Sequence, residues 1–91
     1  MLPRIAERVP TAATLERLER HLEPVLGQLM SGAAVKAQRD RLGLAQPTLD
    51  RAQLEALVGA LAKGTKVFAG TRRTDELFDG LADRMWKDLE A

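Results

Sequence analysis

The chain has 91 residues, 45% of them hydrophobic but only 3% aromatic, and a net charge of +1. That size suits one domain with a small aliphatic core, and a core of Leu and Ala favours helices over sheets. The absence of cysteine excludes a disulfide framework, a thiol nucleophile and a cysteine-based zinc site. No run nears the roughly 20 apolar residues of a membrane span, and the start lacks the apolar stretch of a signal peptide. A cytoplasmic protein with no membrane contact is expected.

Residues 1–10, MLPRIAERVP, carry Leu2, Ile5 and Val9 at helical spacing between two prolines. They read as an N-terminal arm, either docked by its apolar edge or frayed. Thr11 or Thr14 then opens the element around which the rest is organised. Leu15, Leu18, Leu22, Val25 and Leu29 follow at alternating steps of three and four, the stripe of a coiled-coil seam. Pro24 interrupts it, having no N–H for the Arg20 carbonyl. The stripe keeps phase through Pro24 and no Gly or Asn precedes it. A kinked, continuous helix is therefore preferred over a break near Pro24. Gly27 and Ser31, with Gly32 and two alanines following, would let another backbone come close.

Gly43 suits the residue after a helix ending near Leu42, and Pro47 belongs to a turn. Asp50 with Gln53 three residues on forms a capping box, the clearest start signal in the chain. Leu54, Leu57, Val58 and Leu61 give the next helix a core-facing stripe, which Thr65 and Phe68 continue past Gly64. Gly70 is the expected stop, and Thr71 to Thr74 a short basic hinge. Thr74 would cap a last helix with Asp75 and Glu76 in its first turn, the favourable sign for the helix dipole. Its apolar face holds Leu77, Phe78, Leu81, Met85 and Leu89. The sequence thus predicts an all-α fold: a small helical bundle of three main helices, about 12–42 (kinked or broken near Pro24), 51–69 and 75–90. With the N-terminal arm 1–10 they make one domain, 1–91.

Charge is unevenly spread. Residues 32–73 hold eight basic side chains (Lys36, Arg39, Arg41, Arg51, Lys63, Lys66, Arg72, Arg73) against Asp40, Asp50 and Glu55. Residues 74–91 hold six acidic side chains against two basic ones. The acidic last helix is expected to lie on the basic middle, in its own chain or a second copy.

Catalytic chemistry finds little footing. His21 is the only histidine, and the positions three and four away are Leu18, Arg17, Pro24 and Val25, none of them a metal ligand. Asp75, Asp79 and Asp83 stand four apart but lack the loop and glycine of a calcium site. No strand–glycine–helix phosphate loop occurs. No enzyme activity, metal or cofactor is expected. Trp86, one of three large aromatics, is a candidate interface anchor or else a lid over the core edge.

EPVLG, then LGL-x3-TL, then LEALVGALAKGTKVFAG resemble small helical modules attached to bacterial signalling and regulatory proteins. The resemblance covers residues 22–70 and implies a protein-interaction or dimerisation piece without catalytic residues. It transfers no functional residue, and the helix after Gly70 falls outside it. The expected function is a non-catalytic interaction domain that pairs with itself as a homodimer or docks on a helical partner, through Leu15, Leu18, Leu22, Val25, Leu29 and Trp86. The alternative is a small nucleic-acid-binding regulator using the basic segment 36–73, with Lys36, Arg39, Arg41, Lys66, Arg72 and Arg73 as its patch.

Overall fold

A computed structural model describes residues 8–89. It contains β1 (Val9–Pro10), α1 (Thr11–Arg41), β2 (Thr48–Leu49), α2 (Arg51–Phe78) and α3 (Leu81–Leu89). The all-α bundle expected from the sequence is present, with one short antiparallel bridge added to it. Residues 1–7 and 90–91 lie outside the described residues, so the expectations for Leu2, Ile5 and the last turn at Glu90 fall there too.

The bridge ties the arm to the turn before α2. Val9 pairs with Leu49 and Pro10 with Thr48, and both Val9 and Leu49 are fully buried. Arg8 donates from Nε to Thr48 Oγ1 at 2.7 Å, and the Thr11 hydroxyl donates to the Gln46 carbonyl at 2.6 Å. Inside α1, Thr14 donates back to the Pro10 carbonyl at 2.8 Å. Two residues per strand leave no alternating pattern to read, which is why no strand is visible in the sequence.

Both long helices bend, and both bend at glycine. Gly27 has φ 79°, ψ 164° and Gly70 has φ 80°, ψ 167°, each a single non-helical residue between two helical runs. That region of backbone space is essentially open to glycine alone. Pro24 itself stays helical, so the expected kink lies three residues further on, at the one residue able to make it. The bend is sharp. Glu19 Oε1 lies 3.7 Å from where a Cβ on Gly32 would sit. A straight helix would separate those two positions by about 20 Å along its axis. Gly27 therefore serves its φ angle, since a Cβ there meets nothing within 4 Å.

At the start of α1 Pro10 takes the cap position with no side-chain cap bond, so Thr11 and Thr14 lie inside the helix rather than capping it, while the next two ends follow the sequence closely. Gly43 (φ 68°) closes α1 with a Schellman pair, Leu44 N–H to the Arg39 carbonyl at 3.0 Å and Gly43 N–H to the Asp40 carbonyl at 3.2 Å. The capping box of α2 is complete. Gln53 N–H donates to Asp50 Oδ1 at 2.8 Å, and Asp50 N–H to Gln53 Oε1 at 2.9 Å. The last segment differs from expectation. Helix resumes at Thr71 directly after Gly70, so Thr74 is buried inside it rather than capping it. A turn at Asp79 and Gly80 (φ 65°) then separates α3.

One apolar cluster joins these parts: Val9, Leu18, Leu22, Leu49, Leu54, Leu57, Leu81 and Met85 are buried to 2% exposure or less. The acidic end meets the basic middle through Arg51–Asp83 and through Lys66–Asp75 at 3.9 Å. Asp88 instead pairs with Arg17 of α1 at 2.7 Å. The acidic segment is thus shared between α1 and α2.

Candidate interaction surface

The leucine stripe of α1 does not form a free seam. Leu18 and Leu22 are fully buried in the monomer, and Leu15 and Val25 are half-buried. Leu29 is 88% exposed. The non-helical residue at Gly27 redirects the axis and resets the rotational phase, so Leu29 leaves the stripe, while Ser31 and Val35 turn inward in its place. The expectation of one continuous interface from Leu15 to Leu29 is corrected accordingly. Its first part is core, and only its last member is available to a partner.

Trp86 is core as well. It is 7% exposed, and the Arg51 guanidinium lies 5.7 Å from its ring centroid while also pairing with Glu55 and Asp83. The ring is covered on the chain's own account and presents no anchor to a partner. His21 is half-buried. Its Nε2 lies 2.7 Å from the Leu77 carbonyl, which makes it the donating nitrogen, and its ring meets Phe78 edge-on. It fastens the first half of α1 to the end of α2.

Phe68, which sequence spacing assigns to the core stripe, is 65% exposed, beside Val67 at 82% and Met30 at 44%. Leu29 to Met30 and Val67 to Phe68 lie two or three residues from the bends at Gly27 and Gly70, and Met30 and Phe68 line one apolar hollow. Apolar side chains exposed around a hollow on a small domain mark an association surface more often than chance. From it a trough runs between the second half of α1 and the first half of α2. Its apolar end, about 200 Å³, is lined by Leu26, Met30, Ala34, Gln38, Ala60, Leu61, Gly64, Thr65 and Phe68. Its other end, about 320 Å³, is lined by Gln38, Arg41, Leu42, Gly59, Ala60, Lys63 and Gly64. Gln38, Ala60 and Gly64 belong to both, so the two are one continuous groove.

The groove's charge has one sign. Among the described residues its lining includes Arg41 and Lys63 and no acidic residue. From Ala56 to Thr74 the sequence carries Lys63, Lys66, Arg72 and Arg73 with no Asp or Glu. Among the described residues, Lys36, Arg41, Lys63, Arg72 and Arg73 pair with no carboxylate, whereas Arg39 pairs with Asp40 and Lys66 with Asp75. The six residues of the basic patch thus spread over three helical runs, and the structure brings only Arg41 to the groove itself. The expected patch leaves out Lys63, the spacing places Phe68 in the core, and the groove as a unit is not read from the sequence. The available signal was the small residues Ala60 and Gly64 on the face that Phe68 continues.

Among the described residues no three His, Asp or Glu side chains converge on a metal-sized space, and no helix is long and apolar enough to cross a membrane. Compared with protein-family models, with curated proteins and with solved structures, the chain finds no match.

Proposed function

We propose that this chain is a non-catalytic protein-interaction module, a regulatory or adaptor piece that works in the bacterial cytoplasm. The observation that carries this reading is the exposed pair Met30 and Phe68 lining the apolar end of the groove, with Leu29 and Val67 exposed next to them in the sequence. Four large apolar side chains exposed near two glycine bends cost solubility and contribute little to the monomer's core. A surface that meets another chain gives them a use. The setting in a bacterial regulatory protein rests on the resemblance of residues 22–70.

The reading is tested by site-specific photo-crosslinking in the native cell. A benzophenone side chain replaces Phe68 in one strain and the exposed Ala52 of α2 in another. Discrete protein adducts from position 68, absent from position 52, are the expected result. An adduct of twice the chain's own mass identifies the homodimer, and light scattering on the purified protein checks it. Equal or absent crosslinking at the two positions removes the interaction reading.

A second reading has its own observation. Lys63, Arg41, Arg72 and Arg73 are cations without described carboxylate partners, as a phosphate-binding face would need. Nucleic-acid binding predicts a retarded duplex at low salt, with affinity falling steeply as salt releases the condensed counterions. An unshifted duplex at low salt, or an unchanged shift with Arg72→Ala and Arg73→Ala, eliminates it.

A further inference from the structure

We infer that the groove between residues 28–41 of α1 and 51–69 of α2 receives one amphipathic helix with an acidic polar face, supplied by another protein. This rests on the interaction reading above and names the partner's chemistry. Three independent features point to it.

The first is length and shape. The groove follows α1 from Met30 to Arg41, about 17 Å of helix axis. That matches roughly three turns of a docked helix, whose anchors would fall at i, i+4, i+7 and i+11. Phe68 and Met30 stand at the mouth of the apolar end, where the largest of those anchors would seat.

The second is the floor. Gly59 and Gly64 are helical glycines, and a Cβ on either would meet nothing within 4 Å. Nothing among the described residues needs them small, yet each weakens α2 relative to alanine. A helix laid along this face would approach its backbone closely only over such residues. Gln38 adds a polar point in the floor: its Oε1 is buried and finds no hydrogen-bond partner among the described residues.

The third is charge. Among the described residues the groove holds Arg41 and Lys63 and no carboxylate, and Arg72 and Arg73 follow Phe68 along the chain. In a two-fold dimer the same patch meets itself, which would set this basic face against its own copy. Like charges so placed repel, whereas an acidic helix is attracted and oriented. The charge pattern therefore selects a heterologous acidic partner over a second copy.

The test uses the full chain and two synthetic 14-residue helices with identical apolar anchors, Leu and Phe at i, i+4, i+7 and i+11. One carries Glu and the other Lys at every polar position. Fluorescence anisotropy at low salt should show the acidic helix binding at least about tenfold more tightly than the basic one, with the gap narrowing at high salt. Gly64→Leu, which fills the floor, should weaken the acidic helix at least about tenfold while the melting temperature does not fall. Phe68→Ser, on the exposed rim, gives the same readout without touching the helix interior. Amide shifts in the complex should map to Met30, Gln38, Ala60 and Lys63. Equal binding of the two helices overturns the acidic-partner inference. So does a complex indifferent to both Gly64→Leu and Phe68→Ser, or a DNA duplex that takes the groove and displaces the acidic helix. These outcomes are separate from the crosslinking result. Adducts at position 68 with no preference for acidic helices would retain the module and discard this partner.

Discussion

Four glycines give this fold a test with opposite signs. Gly27, Gly59, Gly64 and Gly70 all have open space where a Cβ would go, so alanine meets no steric neighbour at any of them. Their backbones differ. Gly27 and Gly70 sit at φ near 80° and ψ near 165°, while Gly59 and Gly64 are helical. Alanine at the first two must adopt a conformation costing about 1–3 kcal/mol or straighten the bend. Straightening would pull Ser31 and Val35 from the core, so the strain is the cheaper outcome. At the helical pair alanine gains up to about 1 kcal/mol, since glycine is the weaker helix former.

A domain this size moves its melting temperature by about 4–8 °C per kcal/mol. Gly27→Ala and Gly70→Ala should each therefore melt at least about 4 °C below wild type, and Gly64→Ala up to about 8 °C above it. Thermal unfolding by circular dichroism reads all of these in one buffer. D-alanine at position 27, introduced by chemical ligation, should melt close to wild type, because its mirror-image preference accepts positive φ. If Gly27→Ala and Gly64→Ala shift in the same direction, or D-alanine is no better than L-alanine, α1 does not bend at Gly27. The placement of Leu29 and the groove would fall with it.

Other perturbations separate core from surface. Met85→Ala should cost about 2–5 kcal/mol by urea unfolding, because Met85 is fully buried where α3 meets the cluster; a cost under 1 kcal/mol would make α3 an appendage. Thr74→Val should be neutral or stabilising by about 1 kcal/mol, since the buried Thr74 hydroxyl finds no partner among the described residues and valine has nearly its shape. A clear loss of stability in that melt would reveal a hydrogen bond the fold depends on. His21→Ala should cost about 0.5–1.5 kcal/mol and speed amide exchange in residues 71–78 specifically, since it removes the donor to the Leu77 carbonyl. Uniform acceleration across the chain would show that His21 only contributes to global stability.

Helix ends were legible wherever a side chain or a glycine chemically enforces them. Asp50 with Gln53, and Gly43 after the helix ending near Leu42, act within five residues of sequence, and both ends appear as read. The bend at Gly27 was obscured because Pro24 lay nearby and the leucine spacing ran on unbroken through both. Spacing reports rotation about one axis, and a single residue at φ 79° changes the axis itself. Phe68 shows the same limit from the other side. Its phase is that of Leu54, Leu57 and Leu61, but phase does not say whether another helix extends far enough to cover it. Trp86 illustrates a third gap. Arg51 reaches it across 35 positions of chain, and no local pattern announces that pairing.

The open groove follows from the unequal lengths of the packed elements. Residues 51–69 of α2 extend about 28 Å, whereas the nine residues of α3 extend about 13 Å. Where α3 lies, three helices meet and exposure falls to nothing: Leu54 and Leu57 on α2, and Leu18 and Leu22 on α1, are fully buried. Past the reach of α3 only two helices remain, and each can bury one face against the other. Leu61 and Thr65 are still covered by that pair, but Phe68 and Val67 on α2 and Leu29 and Met30 on α1 are left at the rim. The helix proposed as partner, about three turns long with apolar anchors toward the pair and acid toward Arg41 and Lys63, would fit this end. A partner filling that place would complete the same three-layer arrangement that α3 completes at the other end.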